Sequence, residues 1–246
     1  MFSLLIFIPG FGGPKYDFKL KLLAKNINQI FKYNWTKVDI IICKYDTSDS
    51  ELLKNTLEIY NFNDIKVINE KGYFGEYIIN YLNPNLALNY DFNLIMVDDI
   101  ELTNFNMETV VNYQIKHKLD IVSPSLTVDS VAGTPQMFSQ SNLDYNIRVG
   151  PICELFFYFM PSRSYDVYYD LLDKRNPWLW GIDLLLNKRL GFNCGILNKI
   201  QMKHHLKNMS GQHKDAEKGY WLTLEQNGYD KKEDELLNQQ LVFYYD

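Results

Sequence analysis

Asn93-Leu94-Ile95-Met96-Val97-Asp98-Asp99-Ile100-Glu101-Leu102 is the stretch on which the fold turns. An apolar run of strand length ends on two adjacent aspartates, and a third carboxylate follows two places later. Isolated charges are rarely buried without a partner. Acidic groups at the carboxyl end of a buried strand lie where open α/β sheets place their ligands. Hard cations such as Mg2+ or Mn2+ take oxygens of this kind, together with the phosphates they bridge. Asp is also a turn former and helix N-cap, so the same residues have a purely structural use.

Upstream, residues 3–8 form a continuous apolar run that suits a strand buried on both faces. Pro9-Gly10-Phe11-Gly12-Gly13-Pro14 then reads as a loop. It is not a dinucleotide fingerprint, because the glycine spacing fails and a proline intrudes. Helical spacing covers residues 17–31, with Asp17 placed to cap it. Residues 38–43 and 65–69 read as strands, 50–60 and 76–82 as helices, and Asn83-Pro84 stops the last. The pattern up to the strand at Phe92 is βαβαβαβ, which predicts a mostly parallel sheet. The loops at Pro9, Lys44 and Lys71 should then open on the edge that carries Asp98 and Asp99.

Downstream, residues 107–116 read as a helix and 119–123 as a strand. Residues 127–146 are polar and aperiodic, as expected of an active-site or acceptor loop. Residues 152–160 read as one apolar strand with Glu154 inside it. A helix over 162–172 and a loop over 173–180 lead to Gly181-Ile182-Asp183, which opens a helix reaching Arg189. A strand over 195–203 runs into His204-His205, and from His213 the chain is polar and helical, with an aromatic tail at Phe243-Tyr244-Tyr245. No repeat or linker divides the chain, which predicts one domain over 1–246. Its parts are a nucleotide-binding half (1–104), an acceptor half (105–211) and a helical tail (212–246).

Of the 246 residues, 46% are hydrophobic and 22% charged, enough apolar material for a sizeable core. A net charge of -5 argues against a nucleic-acid partner, which calls for a basic field. Aromatics make up 15%, and Tyr and Trp suit stacking on sugars or bases as well as packing. Cys43, Cys153 and Cys194 are too sparse for a disulfide framework or a zinc site, so a reducing, cytoplasmic setting is expected. The first residues lack a basic leader region, and no segment is apolar enough for a membrane span. The sequons at Asn34 and Asn208 would matter only in a secreted protein.

Asp99 is the better candidate for a metal ligand, with Asp98 close to a ribose or the metal. Glu101 would share a strand face with Asp99. His204 and His205 point to opposite faces of a strand, so at most one joins the acids. Glu154, inside an apolar stretch, needs hydrogen bonds or a cation, and its pKa would rise without them. An ion pair with Arg163 or Lys188 is the alternative use. Trp178-Leu179-Trp180-Gly181-Ile182-Asp183 sets two indoles beside an acid at a helix start. Asp183 is either a charge favoured by the helix dipole or a base for a hydroxyl acceptor.

The order of these motifs resembles nucleotide-sugar-dependent glycosyltransferases of the GT-A fold, closest to a poorly characterised glycosyltransferase-like family. The likeness rests on the segment from Lys71 to Pro84 with Tyr73-Phe74, on Val97-Asp98-Asp99-Ile100-Glu101, Cys153-Glu154, Trp180-Gly181-Ile182-Asp183 and His204, together about residues 65–211. The resemblance implies an α/β fold with a mostly parallel central sheet, flanking helices and a small antiparallel extension. It implies a metal-dependent enzyme using Mn2+ or Mg2+. The donor would be a nucleoside-diphosphate sugar and the acceptor a carbohydrate or glycoprotein hydroxyl, and the presence of a base at Asp183 makes inversion the preferred outcome, with retention left open. It would give the metal to Asp99 and His204, with Asp98 on the metal or ribose. Asp183 would be the general base and Glu154 would line the acceptor side. Pro9, Gly10, Tyr45, Asp46 and Lys71 would surround the nucleotide. One departure is Val97, where the family pattern often opens with an acid. The alternatives are a nucleotidyltransferase making nucleotide-sugars, whose basic opening loop is missing here, and a non-catalytic nucleotide- or carbohydrate-binding domain. Oligomeric state, sugar and base are left open.

Overall fold

The computed structural model describes residues 1–131, 133–140, 144–205, 213–228 and 242–244. Its central strand is β1 (Ser3–Phe11), whose residues Leu4, Leu5, Ile6, Phe7 and Ile8 are all buried. A strand covered on both faces has no polar side to show, so its sequence is a continuous apolar run. β2 (Lys37–Lys44) lies parallel to β1, and β3 (Asp64–Asn69) parallel to β2. β4 (Phe92–Met96) lies parallel to β1 on its other side, with Leu4 opposite Phe92 and Phe7 opposite Ile95. The chain thus reverses its direction of build-up between β1 and β4. In an open parallel sheet, the ligand crevice lies outside the carboxyl ends of the strands at that point.

Helices α1 (Tyr16–Ile30) and α2 (Ser50–Leu57) connect β1 to β2 and β2 to β3. α3 (Phe74–Tyr81) and the short α4 (Pro84–Ala87) lead back to β4. α1 buries Leu20, Leu22, Leu23, Ile27 and Ile30 along one face. Its N-cap is Lys15, in the left-handed conformation, and not the expected Asp17, which sits in the first turn where the helix dipole favours it. Asp49 caps α2 by accepting from the Glu51 and Leu52 amides, and Asn83 caps α4 through Leu86.

After β5 (Ile100–Thr103) and α5 (Met107–Lys116), the sheet grows mainly by antiparallel pairing. The remaining strands are β6 (Ile121–Leu126), β7 (Ile147–Gly150), β8 (Phe157–Pro161), β9 (Cys194–His204) and β10 (Val242–Tyr244). Among the described residues the sheet order is β10-β7-β9-β6-β8-β4-β1-β2-β3, with β5 added against β9. β8 runs antiparallel to β4, and among the described residues β6 and β9 are the only parallel pair in this half. Helices α6 (Ser162–Tyr169), α7 (Ile182–Leu190) and α8 (His213–Gln226) complete the fold.

Three expectations change. β1 does not stop at Ile8: it continues through Pro9 and Gly10 to Phe11, with a register shift that the φ of +95° at Gly10 accommodates. Residues 152–156 are not part of β8, which starts at Phe157, so Glu154 lies in a half-buried turn closed by the Phe156 amide on the Glu154 carbonyl at 2.8 Å. Apolarity alone does not separate a buried turn from a strand. The end of the chain is not wholly helical, because Val242–Tyr244 is an edge strand on β7. The Asn208 sequon and the end of the motif-bearing segment lie outside the described residues.

Candidate active site

The acid-bearing turn Val97-Asp98-Asp99 links β4 to β5 at the carboxyl edge of the parallel strands. β5 pairs antiparallel with the far end of β9, setting Ile100 opposite His204, and the His205 amide donates to the Asp99 carbonyl at 3.0 Å. That register carries a late histidine to an early aspartate. His204 Nε2 lies 3.2 Å from Asp99 Oδ2, with the side chains 5% and 16% exposed. Phe156 stacks on the imidazole with ring centres 4.6 Å apart. His204 Nδ1 is buried and has no hydrogen-bond partner. His205 turns to the opposite face and pairs with Glu101 at 2.8 Å, and Glu101 also meets Lys25. Glu101 therefore belongs to an outer ion-pair network.

Asp98 packs against the glycine turn and α1. Its Oδ2 lies 2.8 Å from Lys19 Nζ and accepts from the Gly12 amide at 3.1 Å. Burial pushes the Asp98 carboxyl up and Asp99 adds to this, while Lys19 and Gly12 pull it back. On Lys19, burial works to lower the pKa, but Asp98 outweighs it and the ammonium ends above its ordinary range. The two form an ion pair in a nearly closed environment.

The glycine turn packs directly on the end of β2. Asp46 accepts from the Gly13 amide, the Ser48 amide and the Ser48 hydroxyl, and these bonds outweigh burial to leave its pKa low. Tyr45 donates its hydroxyl to the Gly12 carbonyl at 2.7 Å while 38% of the residue stays exposed. Asp46 is therefore spent on shaping the turn, whereas the half-exposed Tyr45 and Gly10 can face a ligand. A Cβ on Gly12 would come 2.6 Å from the Asp46 carboxylate, at a φ of +131°, so glycine is required there. Pro9 is buried in the strand and Lys71 is exposed on the β3–α3 loop.

Glu154 and Asp183 form the second acidic group. Glu154 Oε2 accepts from the Thr134 amide at 3.0 Å, which ties the 127–140 loop to the site. Burial pushes Glu154 up to about 7, partly opposed by that bond, with Asp183 raising it further and His204 lowering it. Asp183 occupies the first turn of α7. Burial pushes it up to about 6, against the amides of Asp183, Leu184 and Gly181. The approach to α7 is a sharp reversal, with Leu179 at a φ of +58° and Gly181 at +84°. A Cβ on Gly181 would lie 2.9 Å from the Tyr220 ring of α8, so only glycine lets α8 seat there. Trp178 meets Tyr73 edge to face at 5.2 Å, and the Gly75 amide donates to the Pro177 carbonyl at 2.7 Å, joining α3 to this loop.

Two donors, a carboxylate oxygen and an imidazole nitrogen, converge at Asp99 and His204. Among the described residues, no group of three or more His, Cys, Asp and Glu side chains is arranged to hold an ion. The pair fits a cation bound through few protein ligands, with substrate phosphates and water supplying the remainder, as Mg2+ often is. It does not fit a closed structural site. An imidazole beside the carboxylate suits Mn2+ as well.

Sequence reasoning overlooked Lys19, Gly12, Thr134 and Phe156. Lys19 had a signal: it stands on the same helical stripe as Leu22, Leu23, Asn26, Ile27 and Ile30, a poor place for a lysine without a buried acid. Thr134 lay in the loop expected at the active site, without a signal of its own, and Phe156 had none, because long-range loop packing places them.

No protein-family profile matches the chain, and no curated protein is similar to it in sequence. Solved structures do share its fold. The chain superposes on GalNAc-T7, determined with UDP, GalNAc and Mn2+, with a TM-score of 0.61 at 10% identity, over 91% of this chain and 47% of that one. It also superposes on Staphylococcus aureus TarS with a TM-score of 0.56 at 14% identity, over 96% of this chain and 41% of that one. The likeness extends to the 1–349 portion of TarS, with a TM-score of 0.55 over 68% of its length. The chain thus spans under half of the two longer proteins, and the fold it shares with them is GT-A-like.

Proposed function

We propose that the chain is a glycosyltransferase that moves a sugar from a nucleoside-diphosphate donor to a hydroxyl acceptor. The observation that carries this reading is the meeting of Asp99 and His204, 3.2 Å apart, at the carboxyl strand edge where the sheet order reverses. UDP and Mn2+ in the structure of GalNAc-T7 support the choice of ligand class. Asp99 and His204 would hold Mn2+ or Mg2+, which supplies neutralisation of the charge that develops on the leaving diphosphate. Gly10 and Tyr45, above the turn that Asp46 shapes, would border the nucleoside.

On the acceptor side, Asp183 takes the proton of the attacking hydroxyl. The hydroxyl oxygen forms the new bond to the anomeric carbon, and the bond from that carbon to the diphosphate oxygen breaks with its electron pair. Asp183 acting as the general base on the hydroxyl favours inversion. A base at about 6 is ionised at neutral pH yet still basic enough to accept a proton. Glu154, held by Thr134, lines the same side and would orient the acceptor. The acceptor class is a carbohydrate or glycoprotein hydroxyl, with the 127–140 loop over it.

A non-catalytic binding domain is the second reading, favoured by Val97 in the acidic motif and by the two-donor limit of the metal pair among the described residues. A hydrolysis assay with a panel of nucleotide-sugars and Mn2+ separates the readings. A glycosyltransferase releases a nucleoside diphosphate, a nucleotidyltransferase forms or consumes pyrophosphate, and a binding domain releases nothing.

A further inference from the structure

We infer that Lys19 is a positioning residue of the donor site, clasping Asp98 to the glycine turn so that Asp98 serves the turn and not the cation. This rests on the donor-site reading above. The geometry is a closed set of bonds. Lys19 Nζ is 2.8 Å from Asp98 Oδ2 and donates to the Gly12 carbonyl at 2.7 Å. The same Asp98 oxygen accepts from the Gly12 amide at 3.1 Å. Both polar groups of Gly12 are thereby engaged, its carbonyl also accepting from Tyr45 at 2.7 Å. The Lys19 and Asp98 side chains are each only 8% exposed, and the ammonium lies 6.0 Å from the centre of the Tyr45 ring. A lysine drawn this far into a protein needs a fixed acid partner.

The arrangement divides two adjacent aspartates between two tasks. Asp99 turns to His204, and Asp98 turns to Lys19 and Gly12. Without Lys19, Asp98 would be a buried carboxylate with no cation beside it, next to Asp99. With it, the glycine turn on which the Tyr45 hydroxyl rests is locked to the strand edge that carries the cation pair. The ribose and diphosphate regions of the donor are thus held in register by one ammonium.

A double-mutant cycle tests this. Lys19→Met leaves Asp98 buried and unpaired, Asp98→Asn leaves Lys19 so, and the double variant leaves neither. Each single variant should lower Tm and speed exchange of the Gly12 and Gly13 amides about tenfold or more, and the double variant should recover most of both. Donor KM in Lys19→Met should rise about tenfold with kcat changed far less, and recover in the double variant. Mn2+ binding, followed by electron paramagnetic resonance in the presence of UDP, should survive in the double variant. Wild-type amide exchange in Lys19→Met, or no recovery in the double variant, overturns the inference. So does an about tenfold loss of Mn2+ affinity in the double variant, which would return Asp98 to the metal. If Lys19→Met does not fold, Asp98→Asn and the double variant decide alone. If no donor is turned over, Tm and exchange still decide, so failure of the clasp is distinct from failure of the glycosyltransferase reading.

Discussion

Replacing Asp183 with asparagine should stabilise the protein above pH 6 while crippling turnover. Burial raises the Asp183 carboxyl from its ordinary 3.8 to about 6. The folded state therefore keeps a proton that the unfolded chain has already lost between those pH values. Stability from this group is full below about pH 4, falls as pH rises through the window, and is flat above about pH 6. At about 1.36 kcal/mol per pH unit, the whole fall is roughly 3 kcal/mol. Asparagine keeps an oxygen for the helix-start amides but carries no charge to bury. For a chain of this size, roughly 3 kcal/mol corresponds to an upper bound of about 6–12 °C in Tm. Thermal melts of both proteins from pH 4 to pH 8 should thus coincide at the acid end and diverge upward for Asp183→Asn. Removal of the base should cost about 10²–10⁴ in kcat at pH 7.5. A variant that melts at or below the wild type at pH 8, or that keeps full kcat, refutes the reasoning.

The remaining predictions concern the groups around it. Donor turnover should rise with pH between about 6 and 7, as Asp183 and then Glu154 ionise, and Glu154→Gln should remove the component near 7 from the kcat/KM profile. Gly12→Ala should weaken nucleoside diphosphate binding about tenfold or more in calorimetry, because its Cβ would press on the Asp46 carboxylate from 2.6 Å at a strained φ. Asp99→Ala should abolish turnover with an unchanged circular dichroism spectrum, and a chelator should do the same to the wild type. Full activity in either case contradicts the metal role.

The parallel half of the fold was legible because β1, β2 and β4 are buried on both faces and write that fact as apolar runs, continuous in residues 4–8 of β1 and interrupted by Asp39 in β2 and Asn93 in β4. The acidic turn was legible because charge stops such a run abruptly. The meeting of Asp99 with His204 was implied by family likeness. What produces it is the β5–β9 register, which no local pattern contains. Glu154 stood out as a lone charge among apolar residues, but the same apolarity disguised a turn as a strand. The strand at Val242–Tyr244 and the clasp at Lys19 went unread because each depends on a partner far away in sequence, β7 in one case and Asp98 in the other.

The most direct measurement is the binding of UDP to the wild type and to His204→Ala, by calorimetry with and without Mn2+. Two converging donors that share a cation with a diphosphate require Mn2+ to tighten binding strongly in the wild type and to do little in the variant. Equal affinity with and without Mn2+ in the wild type, or an undiminished Mn2+ effect in His204→Ala, would contradict the account at its centre.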